Sequence, residues 1–563
     1  MSEAAQAEEK PGFRKLIASL GQRKTGMMFI FGFSAGLPYS LLLGTLYAWL
    51  SDAKVDLETM GVFSLIGLAY AFKFLWSPVV DRLKIPGLHR LGRRKSWLIP
   101  AQMLLGIILL VLSVLNPQSS IGWFSLLAGM GAFASATQDV VIDAWRVDVA
   151  DEVATLDMLS TVYQLGYRIA ALAGGALALF LADAYSWPLV YALMGGTMLV
   201  ISIATFFAPD TKAMDEVDSD NVLRVTGQLE PKIRAYALTI VGVLWGWALI
   251  RVGVFMVQSL GSDPETRPDS VEFIQFNGPL IVIATVIIPA IIAAILEYWR
   301  RNGKYVLHND TRRETAFDAI LDHGYRALVL PLADIMGRLG WAAILVLALI
   351  LSYRITDNIW GSFAYPFYLG ELEYTKSEVA VASKFFGVGM TMLGIALGGV
   401  CFAYFGRMAT LTIGAVTAAA SNLLYANLAA GGAAIATFSK VTGFTWLVNM
   451  FGADERMAKL MLAITGENLA GGLAGAAFVA YLSSITSKHY SAVQYALLSS
   501  LTFLIGTLGR GALGEMIERN GYFQIFLFTA GLGIFAIILC LIEWVRTNRQ
   551  RAREKQANLA TAN

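Results

Sequence analysis

Two aspartates four residues apart, Asp139 and Asp143, stand inside the long apolar run Ala134-Ser-Ala-Thr-Gln138-Asp139-Val-Val-Ile-Asp143-Ala-Trp145. A spacing of four places both on one face of a helix, with Gln138 beside them. Two close carboxylates in a low dielectric repel each other, which makes one of them a ready proton acceptor. This assigns Asp139 to a proton site. Asp143 divides evenly between the same role and a wet helix end paired with Arg146. Lys73 falls in mid-run in Ala69-Tyr-Ala-Phe-Lys73-Phe-Leu-Trp-Ser-Pro78, too deep to snorkel to either surface. It either neutralises Asp139 or Asp143, binds a substrate carboxylate, or forms a purely structural pair. Arg168 poses the same choice, and Arg354 and Asp357, three apart, share a face on which they can satisfy each other. Lys384, Glu467, Asn468, Gln494 and Arg510 add polar groups to otherwise apolar helices. Taken singly each reads as packing, Glu467 also as a second proton site or a helix-start residue. A charge at mid-bilayer costs roughly 2.5 to 3.5 kcal/mol, so together they are too many to be inert.

The elements that must hold these groups are apolar runs, most of 18 residues or more, recurring from residue 27 to 545 of a 563-residue chain. Each is long enough to cross roughly 30 Å of hydrocarbon as helix. Strands would leave backbone groups unpaired in lipid, and a barrel would show alternation. Six spans are expected in the first half, at 27–50, 60–81, 97–115, 122–145, 156–183 and 187–208. An added pair follows at 235–260 and 278–299. Six more come at 340–369, 376–404, 408–430, 456–485, 494–518 and 522–545, giving about fourteen, with 431–453 as an interfacial or re-entrant segment. The domains are then a cytoplasmic 1–26, a six-helix bundle 27–208, a linker with the extra pair and a basic segment 209–339, a second bundle 340–545 and a basic tail 546–563.

Loop charge sets the orientation. Arg82, Lys84, Arg90, Arg93, Arg94 and Lys95 crowd the loop after the second span, while the loops near 51–59, 116–121 and 183–186 together hold one Lys. Positive-inside counting puts both termini in the cytoplasm. The loop Arg146 to Asp157 dissents, being acidic where parity demands the cytoplasm. No cleavage site follows a short apolar core, so the N-terminus is expected to be retained. The two blocks of six echo each other: Glu58-Thr-Met-Gly-Val62-Phe-Ser64 opens the second span much as Ser377-Glu-Val-Ala-Val381-Ala-Ser383 opens the eighth, an internal repeat of the kind that builds a central site.

Composition narrows function. With 56% apolar and 15% charged residues, no water-facing surface can be built, and 43 basic against 41 acidic side chains give no global charge for nucleic acid. Cys401 and Cys540 lie in apolar runs, and neither HExxH, GxSxG nor a Walker loop occurs, so no metal, cofactor, serine hydrolysis or ATP-driven pumping is expected. The chain is read as a carrier rather than an enzyme, driven by an ion gradient or by its solute's own.

Asp81-Arg82 followed by Gly92-Arg93-Arg94-Lys95 resembles the cytoplasmic gate signature of the major facilitator superfamily, with Leu83 to Leu91 inserted. More specifically, Gly32-Phe-Ser-Ala-Gly36-Leu-Pro38, Phe72-Lys73-Phe-Leu-Trp76-Ser-Pro78 and Ser135-Ala-Thr-Gln138-Asp139-Val-Val-Ile-Asp143-Ala-Trp145 resemble the AmpG muropeptide permeases of Gram-negative inner membranes. Glu467-Asn468-Leu-Ala-Gly-Gly472 and Ser491-Ala-Val-Gln494 continue the resemblance more loosely. It implies a 6+6 helix fold that imports anhydromuropeptides with protons for wall recycling and β-lactamase signalling. A large, polar, anionic ligand suits Lys73, Arg168, Arg354 or Lys384 for carboxylates and Gln138, Asn468 or Gln494 for sugar or amide groups. The chain is expected to work as a monomer, with the bilayer as its other partner. The extra pair between the halves departs from the family pattern. Related acetyl-CoA carriers, and a membrane enzyme on a lipid-linked wall precursor, are the alternatives.

Overall fold

The computed structural model describes residues 17–55, 65–83, 85, 87–209, 229–261, 268, 270–306, 324–354, 364 and 366–562. Among them there is no strand; Leu229 and Val306 make one isolated bridge. The first half contains α1 (Arg23–Ser40), α2 (Leu65–Ala71), α3 (Ser77–Arg82), α4 (Lys95–Val114), α5 (Ile121–Val149), α6 (Leu156–Leu172) and α7 (Trp187–Phe206). Between the halves stand α8 (Pro231–Gly261), α9 (Ser270–Val282) and α10 (Ile288–Arg301). The second half contains α11 (Leu330–Leu339), α12 (Ala342–Tyr353), α13 (Gly387–Phe405), α14 (Arg407–Ala429), α15 (Ala433–Val441), α16 (Phe444–Met450), α17 (Glu455–Ile485) and α18 (Ser491–Ala562).

Ten described helices are long and apolar enough to cross a membrane, eleven if the bent pair α11–α12 is one span. The remaining expected spans are helical but interrupted or merged. The first runs on from α1 through a π turn, Leu41–Thr45, to Asp52; the second breaks between α2 and α3; and 494–518 and 522–545 join in α18 across Gly521, whose φ is +73°. Trp123, Phe180 and Val200 lie on the outside, more than 60% exposed, as lipid-facing residues do and as a soluble surface rarely tolerates.

Three boundaries differ from those expected. Helix α5 runs on to Val149 instead of ending at 145, because Asp148 and Arg146 are partnered and need no loop. The seventh span is not straight: α11 and α12 meet at 106°, where Gly340 takes a φ of +55°, a conformation that ends a helix. The basic tail from 546 stays helical, continuing α18. Residues 431–453 form α15 and α16, each too short to cross a bilayer.

Small residues decide which helices touch. Helix α1 packs on α6, and α13 on α17, with main chains nearly in contact. A methyl group added at Gly32 would run into the carbonyl of Tyr163, one at Gly166 into that of Phe29, and one at Gly472 into that of Thr391. Lipid offers no hydrophobic drive between helices, so this close approach supplies the packing that holds each bundle together. The π turns of the first and fifth spans, Leu41–Thr45 and Ala173–Leu177, pack together, and Thr45 Oγ1 donates to Gly174 O at 3.1 Å.

Gly472→Ala should therefore lower the monodisperse fraction of purified protein and its melting temperature. Gly471→Ala, one residue away where a Cβ meets nothing within 4 Å, should change neither. Size-exclusion profiles and thermal unfolding of the two variants make the comparison.

Candidate functional site

Lys73 owes its position to a proline. Pro78 has no N–H to give the carbonyl four residues back, at Phe74, and its ring clashes with that carbonyl. The helix therefore stops at Ala71, passes through a 3-10 turn at Lys73–Leu75, and restarts at Ser77 with Pro78 in the first turn. Ser77 Oγ donates to the freed Phe74 carbonyl at 2.8 Å. Tyr70 OH to Ser135 Oγ, 2.8 Å, and Trp76 Nε1 to Thr137 Oγ1, 3.0 Å, pin the broken span to α5.

The break turns Lys73 toward α5, where its Nζ lies 3.8 Å from Asp143 Oδ2. The other oxygen, Asp143 Oδ1, accepts from Arg146 at 2.9 Å. Arg146, fully buried, in turn reaches the second half: its Nε donates to Ser483 Oγ at 3.1 Å, and its guanidinium lies 4.9 Å from the ring centre of Tyr495 and 5.0 Å from that of Tyr163. A chain of charge thus runs from the second span through α5 to α17 and α18. One turn away Asp139 is 8% exposed, and its Oδ1 has no hydrogen-bond partner. The charges Asp139 faces are those of Lys73 and Asp143.

The other residues singled out in the sequence are placed as follows. Gln138 faces away from the carboxylates: it accepts from Ser34 Oγ at 2.7 Å and donates to Ser34 O at 2.8 Å, while Gln102 donates to the same Ser34 Oγ. Its amide is spent joining helices of the first bundle. Gln494 accepts from Arg338 and the Ser487 N–H and donates to Pro331 O and Asp334, so it fastens α11 to the start of α18. Glu467 accepts from Tyr425, which pairs with Tyr368, and Asn468 accepts from Thr391 at 2.7 Å. Arg168 Nε is buried without a hydrogen-bond partner, and Arg168 feels the charge of Arg354 from the other half. Arg354 packs on Gly475, where an added Cβ would lie 2.8 Å from its Nη1. Asp357 and the side chains of Arg82, Lys384 and Arg510 lie outside the described residues.

At the end of the bundle that carries the basic loop, Asp81 gathers the gate. Arg93 Nη2 and Arg94 Nη1 donate to its Oδ1 at 2.7 and 2.9 Å, and its Oδ2 accepts from the Val493 N–H at 3.0 Å. That last contact caps the N-terminus of α18 with an anion, the charge a helix start favours. Arg94 also binds Asp148 at 2.7 Å and Ser491 at 2.6 Å. Burial works against the Arg94 charge, but Asp148 and Asp81 more than offset it and raise its pKa. The inserted Leu83–Leu91 leaves this meeting intact. Nearby, Lys24 binds Asp151 at 2.6 Å; slight burial raises the Asp151 pKa, but the hydrogen bonds from Lys24 and the Ala154 N–H outweigh it and hold the carboxyl below its ordinary value.

A second clasp was not read from the sequence. Arg407, just after Gly406, binds Asp157 at the start of α6 at 2.6 Å. The two clasps match: in each, the loop after a half's second span meets the start of the other half's fifth span. The internal repeat was the available signal, since Gly406-Arg407 stands where Gly92-Arg93 stands in the first half. The dissenting acidity of 146–157 is also explained, because Asp148 and Asp157 neutralise Arg94 and Arg407.

Comparison with known proteins adds the following. A family model described as acetyl-coenzyme A transporter 1 matches residues 27–183. The anhydromuropeptide permease of Escherichia coli K12 is 29% identical over 536 residues, covering 94% of this chain and 82% of that protein. A putative transporter AmpG 4 of Rickettsia conorii is 26% identical, covering 91% and 95%. Among solved structures, the proton:xylose symporter XylE bound to 6-bromo-6-deoxy-D-glucose superimposes with a TM-score of 0.50 at 12% identity, over 93% of this chain and 94% of that one. A double-tryptophan mutant of XylE gives 0.52 at 13%, over 92% and 94%. The chain has the major facilitator fold.

Removing one partner of a buried ion pair costs about 3 to 5 kcal/mol. Asp81→Ala, which orphans Arg94 Nη1 and the Val493 N–H together, should loosen the clasped end. In a background lacking Cys401 and Cys540, alkylation of Ser483→Cys should become at least several-fold faster in Asp81→Ala, and faster again when Asp157→Ala is added.

Proposed function

We propose that this chain is a proton-coupled inner-membrane importer of N-acetylglucosaminyl-1,6-anhydro-N-acetylmuramyl peptides, working by alternating access between its two halves. Near-full-length likeness to anhydromuropeptide permease supports the substrate class, and the major facilitator fold supports a carrier rather than an enzyme. Asp139 carries the reading: a carboxylate oxygen sealed from water without a donor, one turn from a charge chain that ends on the opposite half. Burying such an oxygen is costly unless something neutralises it, and a proton does so without rearranging the backbone.

Positive-inside placement puts the clasped, basic end and both termini in the cytoplasm. The conformation is then closed toward the cytoplasm, and the solute enters from the periplasm. Protonation of Asp139 removes a negative charge facing Lys73, which redistributes toward Asp143. That weakens the hold of Asp143 on Arg146 and, through it, the contact with Ser483. Arg168 from the first half and Arg354 from the second supply positive charge for the peptide carboxylates. The proton gradient is the energy source, no cofactor takes part, and one copy of the chain suffices.

A second reading has its own support in the match of 27–183 to the acetyl-CoA transporter model: an importer of that anionic thioester. Uptake of labelled acetyl-CoA against labelled anhydromuropeptide separates the two.

Asp139→Asn should abolish ionophore-sensitive uptake of anhydromuropeptide into right-side-out vesicles, with the amount of protein in the membrane unchanged. Full uptake by this variant overturns the proton assignment.

A further inference from the structure

The helix pair inserted between the halves lies against the break in the second span. Lys73 sits in that break between Phe72 and Phe74, which are 0% and 1% exposed. Phe74 meets Trp245 of α8 edge-on with ring centres 6.1 Å apart, and Phe72 meets Phe273 of α9 edge-on at 6.5 Å. Phe273 is itself stacked on Phe255 of α8 at 4.1 Å. Trp245 Nε1 donates to Thr285 O at 3.1 Å, in the π turn Ile283–Ile287 that joins α9 to α10. The inserted pair is thus tied together by its own rings and by this hydrogen bond, and α18 packs on the same break.

From this we infer that Trp245 and Phe273 are positioning residues for Lys73. A 3-10 turn within a membrane lacks the full helical ladder, so its geometry depends on what packs around it, and lipid packs around nothing in particular. Successive side chains in such a turn point about 120° apart, which lets Phe72 and Phe74 take the flanks while Lys73 faces inward. The rings of the inserted pair replace lipid at this point. They keep hydrocarbon from a charged residue and fix the 3.8 Å separation between Lys73 and Asp143. The charged and titratable groups around Lys73 come from elsewhere: Asp139, Asp143 and Arg146 from α5, with Tyr70 of α2 beside Asp139 and Tyr163 and Tyr495 flanking Arg146 from α6 and α18. The inserted pair brings aromatic rings to the break, so it acts on the position of the charge and not on its sign.

The inference rests on the proposed role of the Lys73–Asp143–Asp139 group in proton coupling, and the test has one arm independent of it. In full-length protein lacking Cys401 and Cys540, alkylation of Lys73→Cys is timed with Phe273 intact, with Phe273→Ala and with Phe273→Trp. Loss of one aromatic pair should speed alkylation about fivefold in Phe273→Ala, and Phe273→Trp should restore the slow rate. Separately, with Lys73 native, the pH of half-maximal anhydromuropeptide uptake should move by about one unit in Phe273→Ala, the shift expected when a neighbouring charge is displaced. An unchanged alkylation rate overturns the inference. So does faster alkylation with an unmoved pH profile, which reduces the rings to packing. Should the parent protein show no anhydromuropeptide uptake, the transport reading fails while alkylation still decides the positioning. If Phe273→Ala does not fold, Trp245→Leu is measured in its place against the same two outcomes.

Discussion

Charge buried where water cannot reach it must be answered by charge, and in this protein the buried guanidiniums of the first half take carboxylates from their own half and a hydroxyl from the other. Arg94, with 1% of its side chain exposed, is held by Asp81, Asp148 and Ser491. Arg146 is held by Asp143 and Ser483. The carboxylates belong to the same bundle as the guanidiniums, and Ser491 and Ser483 complete each arrangement from the other. The desolvation cost of these guanidiniums therefore sets how the two bundles sit against each other at the clasped end. The gate and the interior charge chain are the same device at two depths, sharing α5 as the rod that carries Asp139, Asp143, Arg146 and Asp148.

Neutral contacts do as much inside each bundle. Glycines at the α1–α6 and α13–α17 crossings bring main chains together, and neutral groups such as Gln138, Ser34 and Gln102 satisfy one another within the first half. Ion pairs are found within the first bundle as well, and Arg407 with Asp157 forms one across the two.

Much of this was legible in the sequence. The apolar runs, the two blocks of six, the inserted pair and the deep placement of Asp139 and Lys73 follow from residue type and spacing, because hydrocarbon punishes the alternatives. Partners were harder. Arg94 and Ser491 are 397 positions apart, and local periodicity says nothing of such a contact. Asp148 and Asp157 looked like an exception to the loop-charge rule because their counterions lie in other loops. Gln138 sits beside Asp139 in sequence, but one helical step of 100° turns it to a different neighbour. The break that presents Lys73 was written in Pro78, four residues after Phe74.

The clasp occurs twice, once at Asp81 with the start of α18 and once at Arg407 with the start of α6, and the two lie at the interface of different helices. Two fastenings at separate places resist a hinge about either one, so at this end the halves must part at both places together.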